Sequence, residues 1–252
     1  MKKILGVIPA RMASSRFPGK PLKKILGIPM LAHCYERAML SKACDMLVIS
    51  TPDEEIMTWA KNHKIPSVLT GHHHQRATER AQETLEILSK QGEIFDCILL
   101  LQGDEPQIFP DDIKNLSDAF CGSELEIVNL VYPIDGDDLG NPDVVKAIMS
   151  NALKISFFTR AHVPNRSDKA MRQLGMIGFT IAALTQYTSL QPTPLEELES
   201  IDMMRLLEND YEINGVISSS SILGGDNPED IAKAEFMMTK DLLLETYQDK
   251  YL

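Results

Sequence analysis

The chain lacks most features that identify a functional class at sight. It has only four cysteines, Cys34, Cys44, Cys97 and Cys121, and no two are spaced as C-x-x-C. That argues against a zinc ribbon or a thioredoxin-type dithiol. Cys34 and Cys97 sit in apolar runs, as reduced, buried thiols of a cytoplasmic protein do. No apolar run approaches the ~20 residues that span a bilayer, so no membrane span is expected. The stretch after Met1-Lys2-Lys3 is ended by Arg11 too early for a signal peptide. Basic residues are outnumbered, 25 against 36 acidic, for a net charge of −11. A general nucleic-acid binder needs a broad basic surface, so no nucleic-acid partner is expected. There is no G-x-G-x-x-G, and Gly19-Lys20 is not a P-loop. A P-loop would need Gly at 14 and Ser or Thr at 21, where the chain has Ser14 and Pro21. Internal repeats, low-complexity segments and clear linkers are also missing. The lone Trp59 reads as helix packing.

What is present is an alternation of strands and helices in 252 residues, of which 44% are hydrophobic. That is enough for one large α/β domain over residues 1–252. Apolar runs at 4–8, 46–49, 67–69 and 97–101 read as strands. Helical patterns open at Pro29, after Thr51-Pro52-Asp53, at Thr78 and at Pro110. This order predicts a parallel, doubly wound sheet. In the second half, strands are expected at 126–132, 144–149, 153–158 and 176–184 with no helices between them. They predict an antiparallel extension over about residues 126–190. A helix over 195–209, a strand at 213–218 and a last helix from Pro228 complete the pattern. Apolar strands without covering helices would leave an exposed sheet on a monomer, which predicts a homodimer built on that region.

Three stretches carry candidate chemistry. The first is Ile8-Pro-Ala-Arg-Met-Ala-Ser-Ser-Arg-Phe-Pro-Gly-Lys-Pro21, just after the first strand. It sets Arg11, Arg16 and Lys20 among small residues that let backbone N–H groups approach a ligand, a pattern suited to a polyanion. In an open α/β sheet that position is the carboxyl end of a strand, where ligands bind. The second is Gln102-Gly103-Asp104-Glu105-Pro106, which ends an all-apolar strand. A carboxylate there suits Mg²⁺, which prefers one or two carboxylates, waters and substrate phosphate oxygens; the lesser alternative is a turn in which Asp104 caps the following segment. The third is Gly224-Gly-Asp226-Asn-Pro228, where Asp226 is either a second metal carboxylate or part of a helix start. Arg80, at the start of the helix after Gln75-Arg76-Ala77, could reach a nucleotide or lie on a solvated face. His72-His73-His74 reads as a loop rather than a metal site.

These boxes, with Asn141-Pro-Asp-Val-Val-Lys146, Phe158-Thr-Arg160 and Gln191-Pro-Thr-Pro-Leu-Glu196, occur in the order seen in the 3-deoxy-manno-octulosonate (KDO) cytidylyltransferases. The resemblance spans about residues 3–235. It implies a three-layer, Rossmann-like nucleotide-diphospho-sugar transferase fold with a mixed sheet, in a dimer. It implies joining of CTP to a 2-keto-3-deoxy sugar acid with Mg²⁺, giving a CMP-sugar and pyrophosphate for lipopolysaccharide biosynthesis. By the resemblance, Arg11, Ser14, Arg16 and Lys20 hold the nucleotide and its phosphates, and Thr78, Arg80 and Gln102 lie near them. Asp104 and Asp226 bind Mg²⁺, while Arg160, Gln173 and Glu196 face the sugar acid. The chain departs from the family at three places: Arg76-Ala77 replaces Ser-Gly, Gln173 and Ile177 replace His and Tyr, and Asn165 follows Pro164 in place of Trp. The first bears on the base. The second opens the alternative of a modified octulosonate, such as an 8-amino derivative, as acceptor. A non-catalytic nucleotide-binding paralogue would have no use for Lys20, Asp104 and Asp226 together.

Overall fold

A computed structural model describes residues 2–13, 17–120, 123–219 and 228–252. The expected first half forms as the apolar runs dictate. Strand β1 (Ile4–Pro9) leads through the basic loop to a short hairpin, β2 (Lys24–Ile25) and β3 (Ile28–Pro29), and then to α1 (Met30–Leu40). Next come β4 (Met46–Thr51), α2 (Glu54–Asn62), β5 (Ser67–Leu69), α3 (Ala77–Lys90), β6 (Cys97–Leu100) and α4 (Pro110–Asp118). The second half runs β7 (Ile127–Asp135), β8 (Lys146–Met149), β9 (Lys154–Thr159), β10 (Lys169–Thr180), α5 (Ile181–Ser189), α6 (Pro194–Glu199), α7 (Met204–Leu207), β11 (Ile213–Ile217) and α8 (Pro228–Met238).

One nine-stranded mixed sheet results, in the order β5-β4-β1-β6-β10-β7-β11-β9-β8, with β10 also pairing β8. The β5-β4-β1-β6 half is parallel. Strand β10 enters antiparallel between β6 and β7, and β11 is parallel to β7. Alternation along each strand sends side chains to two cores. Leu5, Val7, Ile98 and Leu100 pack with Ala81 and Leu85 of α3 and with Leu184 and Tyr187 of α5. Ile4, Ile8, Leu99 and Leu101 pack on the other face with Leu31 and Tyr35 of α1 and with Ile113 and Leu116 of α4. The product is a three-layer α/β/α domain.

The antiparallel extension itself is part of the main sheet, with β10 inserted between β6 and β7. Three expectations change. The strand expected at 176–184 ends at Thr180, whose side chain accepts a hydrogen bond from Ala183 N–H and caps α5. Helix α5 then covers the second-half strands, and Ile127, Val131, Phe158 and Phe179 are buried. The exposed apolar sheet that motivated a dimer is therefore largely covered within one chain. The helix expected over 195–209 breaks at Ser200, which adopts a left-handed conformation at φ 55°.

The C-terminal residues are strapped onto α1. His33 is buried, with Nδ1 2.8 Å from the Tyr247 hydroxyl and Nε2 3.0 Å from the Ile25 carbonyl. A carbonyl only accepts, so Nε2 carries the proton and Nδ1 accepts from Tyr247. Arg37 donates to Tyr247 and Asp241, and Glu36 accepts from Lys250 and Tyr251. Leu26 N–H donates to Glu235, so α8 is tied to the hairpin that follows the basic loop. Burial lowers the His33 pKa from 6.5 to about 4. The unfolded chain therefore takes up this proton first. The His33 contribution is present above pH 6.5 and is lost as pH falls toward 4, by about 3 kcal/mol. Urea unfolding at pH 7, 5 and 4 is expected to show this slope, and His33→Gln, which keeps a donor for Ile25, is expected to flatten it. Equal slopes in both proteins would exclude the assignment.

Candidate active site

The carboxyl ends of β1 and β6 lie side by side and open into a cleft of about 280 Å³. Among its lining residues are Pro9, Ala10, Arg11, Lys20, Arg76, Ala77, Arg80, Gln102 and Asp104. Their approach depends on Gly103, where an added Cβ would lie 2.7 Å from the Pro9 carbonyl oxygen. Any side chain there would push the two strand ends apart.

The basic loop is tethered at both ends. Ala10 N–H donates to the Ser50 carbonyl and Gly19 N–H to the Met12 carbonyl. Met12 N–H donates to the Asp53 carboxylate at 2.8 Å. Lys20 is 7% exposed, and its Nζ donates to Asp104 Oδ2 at 2.5 Å. The Asp104 side chain is 36% exposed, so the carboxylate also faces the cleft. Arg80 is buried and donates to Thr70 Oγ1 at 2.5 Å and to the Gly71 carbonyl at 3.1 Å. Burial, and then the charge of Arg11, lower its pKa. An anion between Arg11 and Arg80 would relieve that repulsion. With Arg76 and Lys20, four cations line the cleft against one carboxylate, a local positive field in an acidic protein.

The partly exposed Asp104 carboxylate fits a divalent cation on donor chemistry, while the Lys20 ammonium, which has no lone pair, is not a ligand. The Lys20 ammonium already lies against one carboxylate oxygen, and Mg²⁺ needs only one or two carboxylates when a phosphate supplies further oxygens. Ser14, Arg16 and Asp226 lie outside the described residues. His74 Nε2 lies 2.5 Å from Glu83 Oε2, which also accepts from Gly71 N–H. Burial alone would raise the Glu83 pKa, but the Gly71 and His74 hydrogen bonds and His charges outweigh it and hold it low. His73 lies beside this pair.

Other expected residues do not line this cleft. Thr78 is buried and its hydroxyl donates to Asp202 at 2.9 Å, so it joins α3 to the second half. Glu196 is 1% exposed and accepts two hydrogen bonds from Arg205, at 2.7 and 2.8 Å. Its carboxylate is engaged internally rather than open to a ligand. Arg160 donates to the Glu199 and Pro142 carbonyls at 2.9 and 2.8 Å. Gln173 Nε2 donates to Asn129 Oδ1 at 2.7 Å, and Asn129 in turn donates to the carbonyls of Leu174 and Met176. Ile177 is in the core. Gln102, by contrast, does line the cleft, and it reaches across to β10 and donates to the Gly175 carbonyl at 3.1 Å.

Sequence reading missed Asp53, Asp202 and Lys146 as organisers. Asp53 follows the carboxyl end of β4, beside that of β1, so its place in the doubly wound half could have singled it out. Lys146 is fully buried and donates to the carbonyls of Asn141, Val144 and Arg160 at 2.9, 2.8 and 2.9 Å. It fastens two boxes of the resemblance together. Lys146→Met keeps the stem but strands three carbonyls. It is expected to cost about 2–4 kcal/mol of stability in urea unfolding. A loss below about 1 kcal/mol would contradict this role.

Comparison with known proteins agrees with this geometry. A sequence model of the cytidylyltransferase family matches residues 5–213. The 3-deoxy-manno-octulosonate cytidylyltransferase of Syntrophobacter fumaroxidans is 34% identical over 247 residues, covering 95% of this chain and 98% of that protein. The 8-amino-3,8-dideoxy-manno-octulosonate cytidylyltransferase of Shewanella sp. (strain W3-18-1) is 34% identical over 239 residues, covering 92% of this chain and 97% of that protein. The solved structure of CMP:2-keto-3-deoxy-manno-octonic acid synthetase complexed with CTP superposes with a TM-score of 0.87 at 27% identity, covering 95% of this chain and all of that one. The chain with the Lys20–Asp104 cleft belongs to the cytidylyltransferase family.

Proposed function

We propose that the protein activates a 2-keto-3-deoxy sugar acid, KDO or a close relative, with CTP, giving the CMP-sugar and pyrophosphate for lipopolysaccharide biosynthesis. The observation that carries this is the Lys20–Asp104 pair at the edge of a cation-lined cleft, in a chain about one-third identical to enzymes named for that chemistry. The anomeric hydroxyl of the sugar acid attacks the α-phosphorus of CTP. A phosphorus–oxygen bond forms, the bond to the β-phosphate oxygen breaks, and the hydroxyl proton passes to solvent. Lys20, Arg11 and Arg80 hold the phosphates and neutralise their charge, so catalysis is positioning and electrostatic stabilisation. Asp104, with Asp226, would hold Mg²⁺. When bound, the ion supplies charge neutralisation at the phosphate oxygens.

The reading includes a cytoplasmic homodimer. Among the described residues no helix is long and apolar enough to cross a membrane. Light scattering is expected to give twice the mass of one chain, and a single-chain mass would remove the dimer from it.

A pyrophosphate-release assay tests the activity, with CTP, UTP and ATP each offered KDO and its 8-amino derivative. Release is expected with CTP and a sugar acid together and not with either alone. No release from any pair would overturn the reading. Gln173, held by Asn129, and the buried Ile177 support a preference for the derivative, because neither supplies the pairing of the family's His and Tyr. If kcat/KM for KDO is higher by tenfold or more, about 1.4 kcal/mol of transition-state preference, that second reading fails.

A further inference from the structure

Arg76 stands at the N-terminal end of α3 and lines the cleft beside Ala77. Its side chain is 28% exposed, and its Nε is 3.4 Å from Glu196 Oε1. This contact is loose, and Glu196 does not depend on it, because Arg205 already gives Glu196 two hydrogen bonds at 2.7 and 2.8 Å. Its backbone is engaged in the helix start, the N–H donating to Glu79 at 3.2 Å and the carbonyl accepting from Arg80 N–H at 3.4 Å. Among the described residues the two terminal guanidinium nitrogens have no hydrogen-bond acceptor, which leaves up to four donors at the edge of the cleft.

Arg76 shares the cleft with both charged and apolar residues. Lys20 and Asp104 form its charged part, suited to phosphates. Pro9, Ala10 and Ala77 add small apolar side chains, which can pack against a planar ring. Cytosine presents two adjacent acceptors on one edge, O2 and N3. Uracil presents O2 beside an N3–H donor. A guanidinium is a rigid fork of parallel donors, so it pairs with two adjacent acceptors and meets a donor unfavourably.

We propose that Arg76 reads the nucleotide base, donating two parallel hydrogen bonds to the O2 and N3 acceptors of cytosine and thereby selecting CTP over UTP. This rests on the nucleotidyl-transfer reading above and assigns the base selectivity of that site to a residue at which this chain departs from the usual family pattern. Arg205 keeps Glu196 neutralised while Arg76 turns to the base.

Calorimetric titration of the full chain with CTP and with UTP, in Mg²⁺, tests the assignment in wild type, Arg76→Ser and Arg76→Lys. Wild type is expected to prefer CTP. Both variants are expected to lose CTP affinity by about tenfold or more with UTP affinity unchanged, since lysine keeps the charge but not the fork. Arg76→Lys also keeps a cation for Glu196, so it guards against a folding defect in Arg76→Ser. Equal losses for both nucleotides, with Arg76→Lys near wild type, would assign Arg76 to a phosphate and overturn the proposal. Unchanged binding would leave Arg76 a purely structural partner of Glu196, and tighter CTP binding by Arg76→Ser would make it an obstruction; either overturns it. Wild type that binds UTP but not CTP would overturn this proposal and the choice of CTP above, but not nucleotidyl transfer itself. Wild type that binds neither would remove the nucleotidyl-transfer reading as well.

Discussion

Asp104→Asn is expected to lower kcat by about 10²- to 10³-fold while the protein stays folded, the scale seen when one preorganised electrostatic group is removed from an active site. Asparagine preserves the side chain's size and one oxygen for Lys20 Nζ, now 2.5 Å away. It removes the negative charge. Two consequences follow together. The Lys20 ammonium loses the carboxylate that fixes its position, and a divalent cation loses the only carboxylate that the described cleft residues offer it. Both losses fall on the loaded site. In the empty protein the pair is only partly desolvated, with the Asp104 side chain 36% exposed, so the cost to folding is small. The checks are steady-state pyrophosphate release across a Mg²⁺ titration and a urea melt of the same preparation. Turnover within a few-fold of wild type at limiting Mg²⁺ would show that the Asp104 charge is not used. A large loss of stability would mean that it serves the fold instead.

The cleft itself was legible in the chain for a local reason. Apolar runs at Ile4–Ile8 and Cys97–Leu101 end abruptly in small and charged residues, and in a parallel sheet such ends meet on one edge. Lys20 and Asp104 are 84 residues apart, yet both follow strands that pair with each other. What was not legible depends on partners with no local trace. Nothing in Lys169–Thr180 says that it pairs with β6, because antiparallel insertion is decided by the whole sheet. Ile181-Ala-Ala-Leu184 reads as strand or helix with equal ease, and the Thr180 cap decides for helix. Thr78 and Glu196 bear the same polar groups whether they face a ligand or the interior. Their engagement follows from Asp202 and Arg205, brought in by α6 and α7.

That interior cluster carries the second large effect. Arg205 and Glu196 form a doubly hydrogen-bonded pair whose side chains are 4% and 1% exposed. The Arg205 guanidinium also sits over the Tyr187 ring, 4.4 Å from its centre, and lies 3.7 Å from Glu79 on α3. The Glu196 hydrogen bonds, the largest influence, raise the Arg205 pKa despite burial. The pair therefore ties α6 and α7 to the end of α3 that borders the cleft. Arg205→Met keeps most of the apolar stem and removes the charge. Glu196 is then left buried with Arg76 alone, at 3.4 Å. Removing one partner of a buried pair costs about 3–5 kcal/mol, and the surviving Arg76 contact puts the expected value near about 3 kcal/mol. The double variant Arg205→Met/Glu196→Leu is expected to recover much of that loss. It replaces two charges by apolar groups and strands neither, an exchange that is often neutral in buried sites. Urea midpoints of the wild type, both single variants and the double variant close the cycle. A double variant no more stable than Arg205→Met would show that packing of Arg205 on Tyr187, and not its charge, holds this end of α3 in place.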